Sequence, residues 1–424
     1  MSTTADRARW AAAALALALA LTGCSGPSAV PDDGAPSRTP VQEIPLPAGV
    51  TYRETVRKLD GKQPSHVRIL TIHPDAQVRV AGAHGSSLAR AETVRAMAGT
   101  AGALAAVNAS YFDISGGKNY GGYDGDPLGL YAEGGRVLSE ATNGRPALLL
   151  GYVGDRLDAR IQEVATRGEV LAQDGAREEV DGINRVPGRI LGCGGVGGDR
   201  VDVTEVPMEE PYGGLCTDSG ELVAFTGDWG ERTPPGPPGS MEALLDADGR
   251  VMSVRKPAGG AVPQNGSTLY AIGTSTAWLR SHVEPGSDVV LSTVLNDTAG
   301  TPVFGAVDTA IGGRYRLLRA GAPALGDAAS STKKAPRTAA GVTADGTLLV
   351  VTVDGRAPGV DAGATLSQTA KLLASLGARD AIGLDGGGST TMVVRGELRN
   401  SPREVEGEKV TERPVANVLA LFDR

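Results

Sequence analysis

Apolar residues recur along this chain at two spacings, which together predict many β-strands and a few α-helices. The runs that are typical of buried strands lie at 67–72, 78–80, 103–107, 315–318, 348–353, 381–384 and 415–422. Helical spacing predicts helices at about 91–98, 275–282 and 363–376, and Gly377 follows the last of these in the position of a C-cap. Many strands with so few helices predict a mixed α/β (α+β) fold.

The strand predicted at 381–384 leads into the most distinctive stretch of the sequence. Asp385 is followed by three glycines at 386–388 and by three hydroxyl residues at 389–391. Consecutive glycines lose much backbone entropy on folding, and they are useful where the backbone approaches a ligand or offers several N–H groups to an anion. A plain hairpin turn is the alternative, because residues 392–394 predict a second strand.

Composition and charge exclude several functional classes. The chain has 60 glycines and 26 prolines among its 424 residues but is 41% hydrophobic, which indicates a folded, loop-rich protein rather than a disordered one. A formal net charge of −8 argues against nucleic-acid binding through a broad basic surface. The four histidines lie outside the candidate motifs, which disfavours a His-based triad or a His-rich zinc site.

The N-terminus predicts export and a membrane anchor. In residues 1–23, Arg7 and Arg9 precede an apolar segment that is short for a membrane-spanning helix. The segment ends in Leu-Thr-Gly before Cys24 and resembles a bacterial lipobox, in which the cysteine is lipidated and becomes the mature N-terminus. Residues 24–49, rich in Pro, Ser and Gly, predict a solvated tether to one folded domain at 50–424. Secretion after cleavage nearby is the alternative.

The other two cysteines predict a disulfide. The chain has three cysteines, and lipidation of Cys24 leaves Cys193 and Cys216 as a pair within a Gly-rich insertion at about 189–220. Exported chains meet an oxidising compartment, so we expect these two residues to form a disulfide, worth roughly 3 kcal/mol by loop closure. A two-cysteine metal site is the weaker alternative, since no histidine or further cysteine lies nearby in sequence.

Candidate site residues lie at the ends of predicted strands, where functional side chains are common. Asn108 follows the strand at 103–107, and Asp113 comes shortly after it. Further along, three successive elements bring Arg337, then Asp354 with Arg356, and finally Asp385 with its glycines. If these elements are neighbours in one sheet, their ends form one polar cleft.

Six segments resemble, in the same order, motifs of the phosphodiester glycosidase family. They are AVNASYFD (106–113), GINR (182–185), PRTAAG (336–341), VDGR (353–356), LDGGGST (384–390) and RPVAN (413–417). This family includes the enzyme that removes a terminal N-acetylglucosamine from a phosphodiester to uncover mannose 6-phosphate. It also includes bacterial proteins described as exopolysaccharide-related. The chain departs from the family in Ala109 and Ser110, where many relatives carry glycine and a small or acidic residue, and in its cysteine-containing insertion.

The resemblance implies a hydrolase that cleaves sugar-1-phosphodiesters and assigns roles to residues of this chain. The substrate-binding set is Asn108, Asn184, Arg185, Arg337, Arg356, Gly386, Gly387, Gly388, Ser389, Thr390, Arg413 and Asn417. Arginine suits the phosphate because its planar fork bonds two oxygens at once. Asp385 is the first candidate for the catalytic carboxylate, followed by Asp354 and Asp113. Asp354 has an alternative role as an ion-pair partner that orients Arg356.

The expected substrate is a sugar-1-phosphodiester in envelope glycans or exopolysaccharide. A non-catalytic glycan- or peptidoglycan-binding lipoprotein of the same fold is the main alternative, and cleavage of P–O rather than C–O is a third. No cofactor is predicted. Clustered carboxylates are compatible with Ca²⁺, but the chain has no spacing of the EF-hand kind.

Overall fold

The computed structural model describes residues 44–114, 123–142, 144–188, 190–191, 200–201 and 215–424. The predicted signal peptide, Cys24 and Cys193 lie outside these residues, and only the backbone of Cys216 is described, so the lipid anchor and the disulfide remain predictions. From Glu43 onward the chain folds as one unit. The predicted mixed α+β fold is confirmed, with several sheets and three α-helices in the described part of the chain.

Strands far outnumber helices along the folded domain. The helices are α1 (Val94–Ala101), α2 (Ser275–His282) and α3 (Leu366–Ser375). The strands of the first half are β1 (Val50–Arg57), β2 (Ser65–Ile72), β3 (Val78–His84), β4 (Ala105–Asn108), β5 (Tyr111–Phe112), β6 (Pro127–Leu128), β7 (Tyr131–Glu133), β8 (Arg136–Ser139), β9 (Arg145–Val153), β10 (Arg156–Ala172), β11 (Arg177–Val180), β12 (Gly182–Ile183), β13 (Ile190–Leu191), β14 (Arg200–Val201) and β15 (Leu215–Thr217). The remaining strands are β16 (Leu222–Thr226), β17 (Arg232–Thr233), β18 (Met241–Leu245), β19 (Val251–Arg255), β20 (Gly260–Ala261), β21 (Ser267–Ala271), β22 (Val289–Asp297), β23 (Thr309–Gly312), β24 (Tyr315–Arg319), β25 (Ala322–Pro323), β26 (Arg337–Thr343), β27 (Leu348–Val353), β28 (Ala378–Gly383), β29 (Met392–Val394), β30 (Glu397–Leu398) and β31 (Asn417–Asp423).

Two sheets position the candidate site. The central sheet has the order β1-β2-β27-β26-β28-β24-β25, and the second sheet has the order β3-β31-β4-β29-β30. Residues from one face of each sheet share the largest hydrophobic core, which includes Val350 and Ile382 from the central sheet and Val107 and Leu419 from the second. All six residues of β27 are buried, as expected for a strand in the middle of a sheet.

Helices α3 and α1 pack against the opposite faces of these two sheets. Apolar residues of α3 share a core with the central sheet, and those of α1 share another with the second sheet. The start of α3 is fixed by a capping box, in which Thr365 and Gln368 exchange hydrogen bonds of 3.1 and 2.8 Å. The predicted start of α1 was three residues too early, because Thr93 caps the helix by accepting a hydrogen bond from the Ala96 N–H at 3.2 Å.

Two further sheets complete the fold. One has the order β11-β10-β9-β23-β7-β8, with β22 also paired to β10, and the other has the order β12-β16-β21-β18-β19. The smaller sheets are β13-β15-β14, β17-β20 and β5-β6. The helix predicted at 275–282 is observed as α2 with the same bounds. In the described residues no helix is long and apolar enough to span a bilayer.

Candidate active site at the glycine loop

Three neighbouring strands of the central sheet bring the predicted polar residues to one edge. Arg337, the first residue of β26, pairs with Val353, the last residue of β27. On the other side of β26, Ala339 pairs with Gly383, the last residue of β28. Because both pairings are antiparallel, the start of β26 and the ends of β27 and β28 lie together. The predicted adjacency of these three elements is confirmed.

The glycine loop, residues 384–391, crosses from β28 in the central sheet to β29 in the second sheet. Its backbone is held by the segment that enters β26, since Leu384 N–H donates to the Thr338 carbonyl at 3.0 Å and Gly387 N–H donates to the Pro336 carbonyl at 2.9 Å. Gly387 has φ +60°, which glycine adopts without strain, and it begins a short 3₁₀ turn that ends at Ser389. The loop is therefore a fixed backbone structure between two sheets.

Asn108 lies beneath this loop and ties it to both sheets. Its side chain is fully buried, and its amide donates to the Asp385 carbonyl at 2.6 Å. Its carbonyl oxygen accepts hydrogen bonds from the Thr338 hydroxyl at 2.7 Å and from the Thr391 N–H at 3.1 Å. The structure thus places Asn108 where it positions the loop, rather than at the surface where a sugar hydroxyl would bind.

The Asp385 carboxyl is partly exposed within the loop and has a perturbed pKa. Desolvation raises its pKa from 3.8 to about 6, although the Ser389 hydroxyl, the Arg413 charge and the Gly386 N–H all favour the ionised form. The Gly386 N–H donates to the carboxylate at 2.9 Å. A carboxyl group of this kind, close to an arginine and poised near neutral pH, is typical of catalytic carboxylates.

Arg413 lies directly against the glycines. Its guanidinium donates to the Ser389 hydroxyl at 3.1 Å. It also forms a bidentate ion pair with Glu404, in which Nε donates to Oε2 at 2.7 Å and Nη2 donates to Oε1. A Cβ atom at Gly388 would lie 2.7 Å from Arg413 Nη2, which is closer than real contacts of this type allow. The lack of a side chain at Gly388 therefore makes room for the Arg413 guanidinium.

The other two predicted phosphate-binding arginines also border the loop. Arg356 Nη2 lies 3.1 Å from where a Cβ atom at Gly387 would be, and its Nη1 donates to the carbonyls of Arg403, at 2.9 Å, and Glu404. The Arg337 side chain passes beside Gly386 and donates to backbone carbonyls at 2.9 and 3.0 Å. Three guanidinium-bearing side chains thus surround the three glycines.

Comparisons with known proteins identify a family that this chain resembles. A sequence model of the family described as phosphodiester glycosidase matches residues 241–422, which include all three arginines and the glycine loop. The predicted resemblance to the phosphodiester glycosidase family is confirmed. A search of curated proteins finds no match.

Solved structures resemble the whole fold. A protein of Burkholderia pseudomallei K96243, named as a presumed exported protein, is 28% identical with a TM-score of 0.73, over 85% of this chain and 74% of its own. A hypothetical protein from Synechocystis is 19% identical with a TM-score of 0.65, over 89% of this chain and 62% of its own, which shows the fold alone. The catalytic domain of zebrafish N-acetylglucosamine-1-phosphodiester alpha-N-acetylglucosaminidase is 16% identical, over 88% of this chain and 83% of its own. Its TM-score of 0.38 is too low to add support.

Asp354, one of the predicted catalytic carboxylates, is almost wholly buried. It forms an ion pair with Arg68 and accepts hydrogen bonds from the Asn400 amide and the Ser401 N–H, both at 3.1 Å. Burial raises its pKa, and the Arg68 charge opposes that shift. Its ion-pair partner is Arg68 rather than Arg356, and its contacts hold the segment that follows β30 close to β27.

Three other predicted residues, Asn184, Arg185 and Asp113, are buried. Arg185 pairs with Glu140 at 2.7 Å and with Glu221, and Asn184 bonds to the Leu138 carbonyl and Thr226 at 3.0 Å. Asp113 N–H donates to the Asp126 carbonyl at 2.9 Å. Burial, followed by the nearby charges of Glu140 and Asp113, raises the pKa of Asp126 well above its usual value.

Thr390 and Asn417 are buried within the wall of the site. The Thr390 carbonyl accepts from the Asn400 amide at 2.8 Å, and the Asn417 side-chain oxygen accepts from the Ser110 N–H at 2.9 Å. Both residues have no exposed surface. They stabilise the loop and its neighbours from inside, as Asn108 does.

Sequence reasoning missed three charged residues that contribute to the site: Arg68, Arg314 and Glu404. Arg314 lies 5.5 Å from the Tyr315 ring and 6.0 Å from the Tyr111 ring, and its charge lowers the pKa of Asp385. The only feature of the local sequence that could have pointed to Arg314 is its position after two glycines and just before an apolar run. Neither Arg68 nor Glu404 lies in one of the six motifs. Among the described residues, no group of three or more His, Cys, Asp or Glu side chains is arranged to hold a metal.

Proposed function

We propose that the protein is an exported phosphodiester glycosidase that hydrolyses a sugar-1-phosphodiester, with Asp385 as its catalytic carboxylate. The observation that carries this proposal is the convergence of the Arg356 and Arg413 guanidinium groups on the glycine loop that carries Asp385. The Arg337 side chain lies beside the same loop at Gly386. Guanidinium groups are donors that suit a phosphodiester, because their planar fork bonds two oxygens at once. The family match supports the reaction class.

The chemistry requires little beyond these groups. Departure of a phosphate from the anomeric carbon needs weak general-acid help, because phosphate is a much weaker base than an alkoxide. The developing sugar cation needs a nearby carboxylate, which either stabilises it or activates water. At neutral pH a carboxyl with a pKa of about 6 is mostly ionised, so Asp385 is in the form that this role requires.

Turnover of defined donors tests this proposal. The full-length protein is incubated with UDP-N-acetylglucosamine and a panel of other sugar-1-phosphodiesters, and free sugar is measured. We expect release that falls by at least about 100-fold in Asp385→Asn and in Arg413→Ala. Asp248→Asn, an exposed change in the turn between β18 and β19, serves as the matched control.

Two outcomes would replace the proposal. Reaction in ¹⁸O-water places the label in the sugar if the C–O bond breaks and in the phosphate if the P–O bond breaks, so labelled phosphate would make the protein a phosphodiesterase. Glycan binding without turnover of any donor would favour a binding lipoprotein. Substrates in envelope glycans or exopolysaccharide belong to the proposal and are tested by including isolated polymers in the panel.

We also propose attachment to the outer face of the membrane through Cys24. The lipobox-like sequence supports the anchor, and the presumed export of the Burkholderia relative supports the location. Labelling with a radioactive fatty acid should mark the wild-type protein and not Cys24→Ser. Equal labelling of both would rule out this anchor.

A further inference from the structure

The segment between β30 and Arg413, residues 399–412, folds over the glycine loop and is anchored at several points. Asp354 accepts from Asn400 and Ser401, as described above, and Gly407 N–H donates to the Arg356 carbonyl at 2.9 Å. Thr411 N–H closes the segment on itself by donating to the Pro402 carbonyl at 2.9 Å. The backbone of the 399–412 segment is therefore held beside Arg356 and Arg413.

This anchoring places the Glu404 carboxylate on the candidate phosphate site. Glu404 Oε2 accepts from Arg413 Nε at 2.7 Å, and Oε1 accepts from Nη2, so the carboxylate engages the guanidinium through two parallel bonds. Glu404 Oε2 and Arg413 Nη2 both lie where a Cβ atom of residue 388 would project, which puts the ion pair on the face of Gly388. The Glu404 carbonyl accepts from Arg356 as well.

A carboxylate bound in this way resembles a bound phosphate. Both groups present two oxygens at a spacing that fits the fork of a guanidinium, and Glu404 engages the Nε–Nη2 edge of Arg413 in this way. A phosphodiester that approached the face of Gly388 and used this edge of Arg413 would meet the Glu404 carboxylate in the same place. Two anions do not share one guanidinium edge, since like charges at contact repel each other.

We propose that the Glu404 carboxylate is a built-in occupant of the anion site, and that the phosphate of the substrate displaces it from Arg413. The proposal rests on the proposed function, because it takes the face of Gly388 as the place where phosphate binds. The Glu404 side chain is half exposed, and it has three rotatable bonds. The carboxylate is therefore able to swing into solvent while the backbone of the 399–412 segment stays in place.

The displacement has a measurable cost in affinity. Partly exposed ion pairs are modest, so removing the competing carboxylate should tighten phosphate binding by about two- to fivefold. Glu404→Gln keeps the size of the side chain but removes its charge. Glu406→Gln is the matched control, because it removes one carboxylate from an exposed position in the same segment.

The test is a calorimetric titration of the full-length protein and both variants with inorganic phosphate at low ionic strength. We expect tighter binding in Glu404→Gln and wild-type affinity in Glu406→Gln. Unchanged or weaker binding in Glu404→Gln would overturn the proposal and would make Glu404 a residue that orients Arg413. An equal gain in both variants would also overturn it, because the effect would then come from net charge alone.

Binding and turnover separate this proposal from the proposed function. The titration needs no reaction, so failure to hydrolyse any donor leaves it intact. If neither the wild-type protein nor Glu404→Gln binds phosphate, the occupant proposal fails whatever the turnover result. For a donor that is hydrolysed, the proposal further requires a lower KM in Glu404→Gln without a fall in kcat.

Discussion

The ionised carboxylate of Asp385 should lower the free energy of unfolding at neutral pH, and Asp385→Asn should remove this destabilisation. Desolvation raises the pKa of Asp385 to about 6 in the folded protein, against an ordinary value of 3.8. A folded-state pKa that is raised means that the folded protein binds the proton more tightly than the unfolded chain. The associated stability is present below pH 3.8 and is lost as the pH rises through about 6.

The size of the effect follows from the shift. About two pKa units correspond to at most ~3 kcal/mol, since one unit is worth ~1.4 kcal/mol. Asp385 is partly exposed, and solvent screening reduces this value, so we expect the asparagine variant to gain ~1–2 kcal/mol relative to wild type between pH 4 and pH 7.5. Asparagine also changes the hydrogen bonds with the Ser389 hydroxyl and the Gly386 N–H, but that change is an offset which does not vary with pH.

Urea unfolding of both proteins at several pH values between 4 and 7.5 measures this difference. We expect the variant to become progressively more stable than wild type as the pH rises, with most of the change between pH 4.5 and 6.5. Asp248→Asn reports the effect of losing one exposed carboxylate. A stability difference that stays constant with pH would refute the argument that desolvation controls the Asp385 carboxyl.

Three further predictions concern the same site. The value of kcat/KM should rise with pH through an apparent pKa near 6 and then level off, because Asp385 acts in its ionised form. A profile that falls as the pH rises through 6 would instead assign Asp385 the role of a general acid. Asn108→Ala should lower the free energy of unfolding, measured in urea, by ~2–4 kcal/mol. The change removes the hydrogen-bond partner of the Thr338 hydroxyl, the Thr391 N–H and the Asp385 carbonyl. Gly388→Ala should weaken phosphate binding, because its methyl group would occupy the face of the loop on which the phosphate is proposed to bind. Titrations with near-wild-type affinity would contradict that placement of the phosphate.

The parts of the fold that depend on local pattern could be predicted from the sequence. The strand at 348–353 and the helix at 275–282 have the predicted bounds. The strand is a short, nearly continuous apolar run, which is typical of a buried strand. The polar edge of the central sheet was also predictable, since β26, β27 and β28 follow one another closely along the chain. Short connections favour neighbouring strands.

The partners of individual side chains could not be predicted, because they come from distant parts of the chain. Asp354 and Arg356 are two residues apart, yet Asp354 pairs with Arg68, which is 286 positions away. Asn108 bonds to the Asp385 carbonyl across 277 positions. In both cases the motif marks a residue whose contacts are specific, but it does not distinguish a contact with substrate from a contact within the fold.

The hydrogen bonds at the site show that the loop backbone is held rigidly, whereas the Arg413 side chain is able to adjust to a ligand. The loop backbone is held by buried partners, among them Asn108 and the Thr338 carbonyl, so its conformation is set before any ligand arrives. The Arg413 guanidinium, by contrast, is held through side chains, of which Glu404 is half exposed. Exposed charge pairs weaken with salt, whereas buried backbone contacts do not. Phosphate binding should therefore weaken with salt through its contribution from Arg413, while the loop keeps its conformation, and Glu404 acts on the Arg413 contribution.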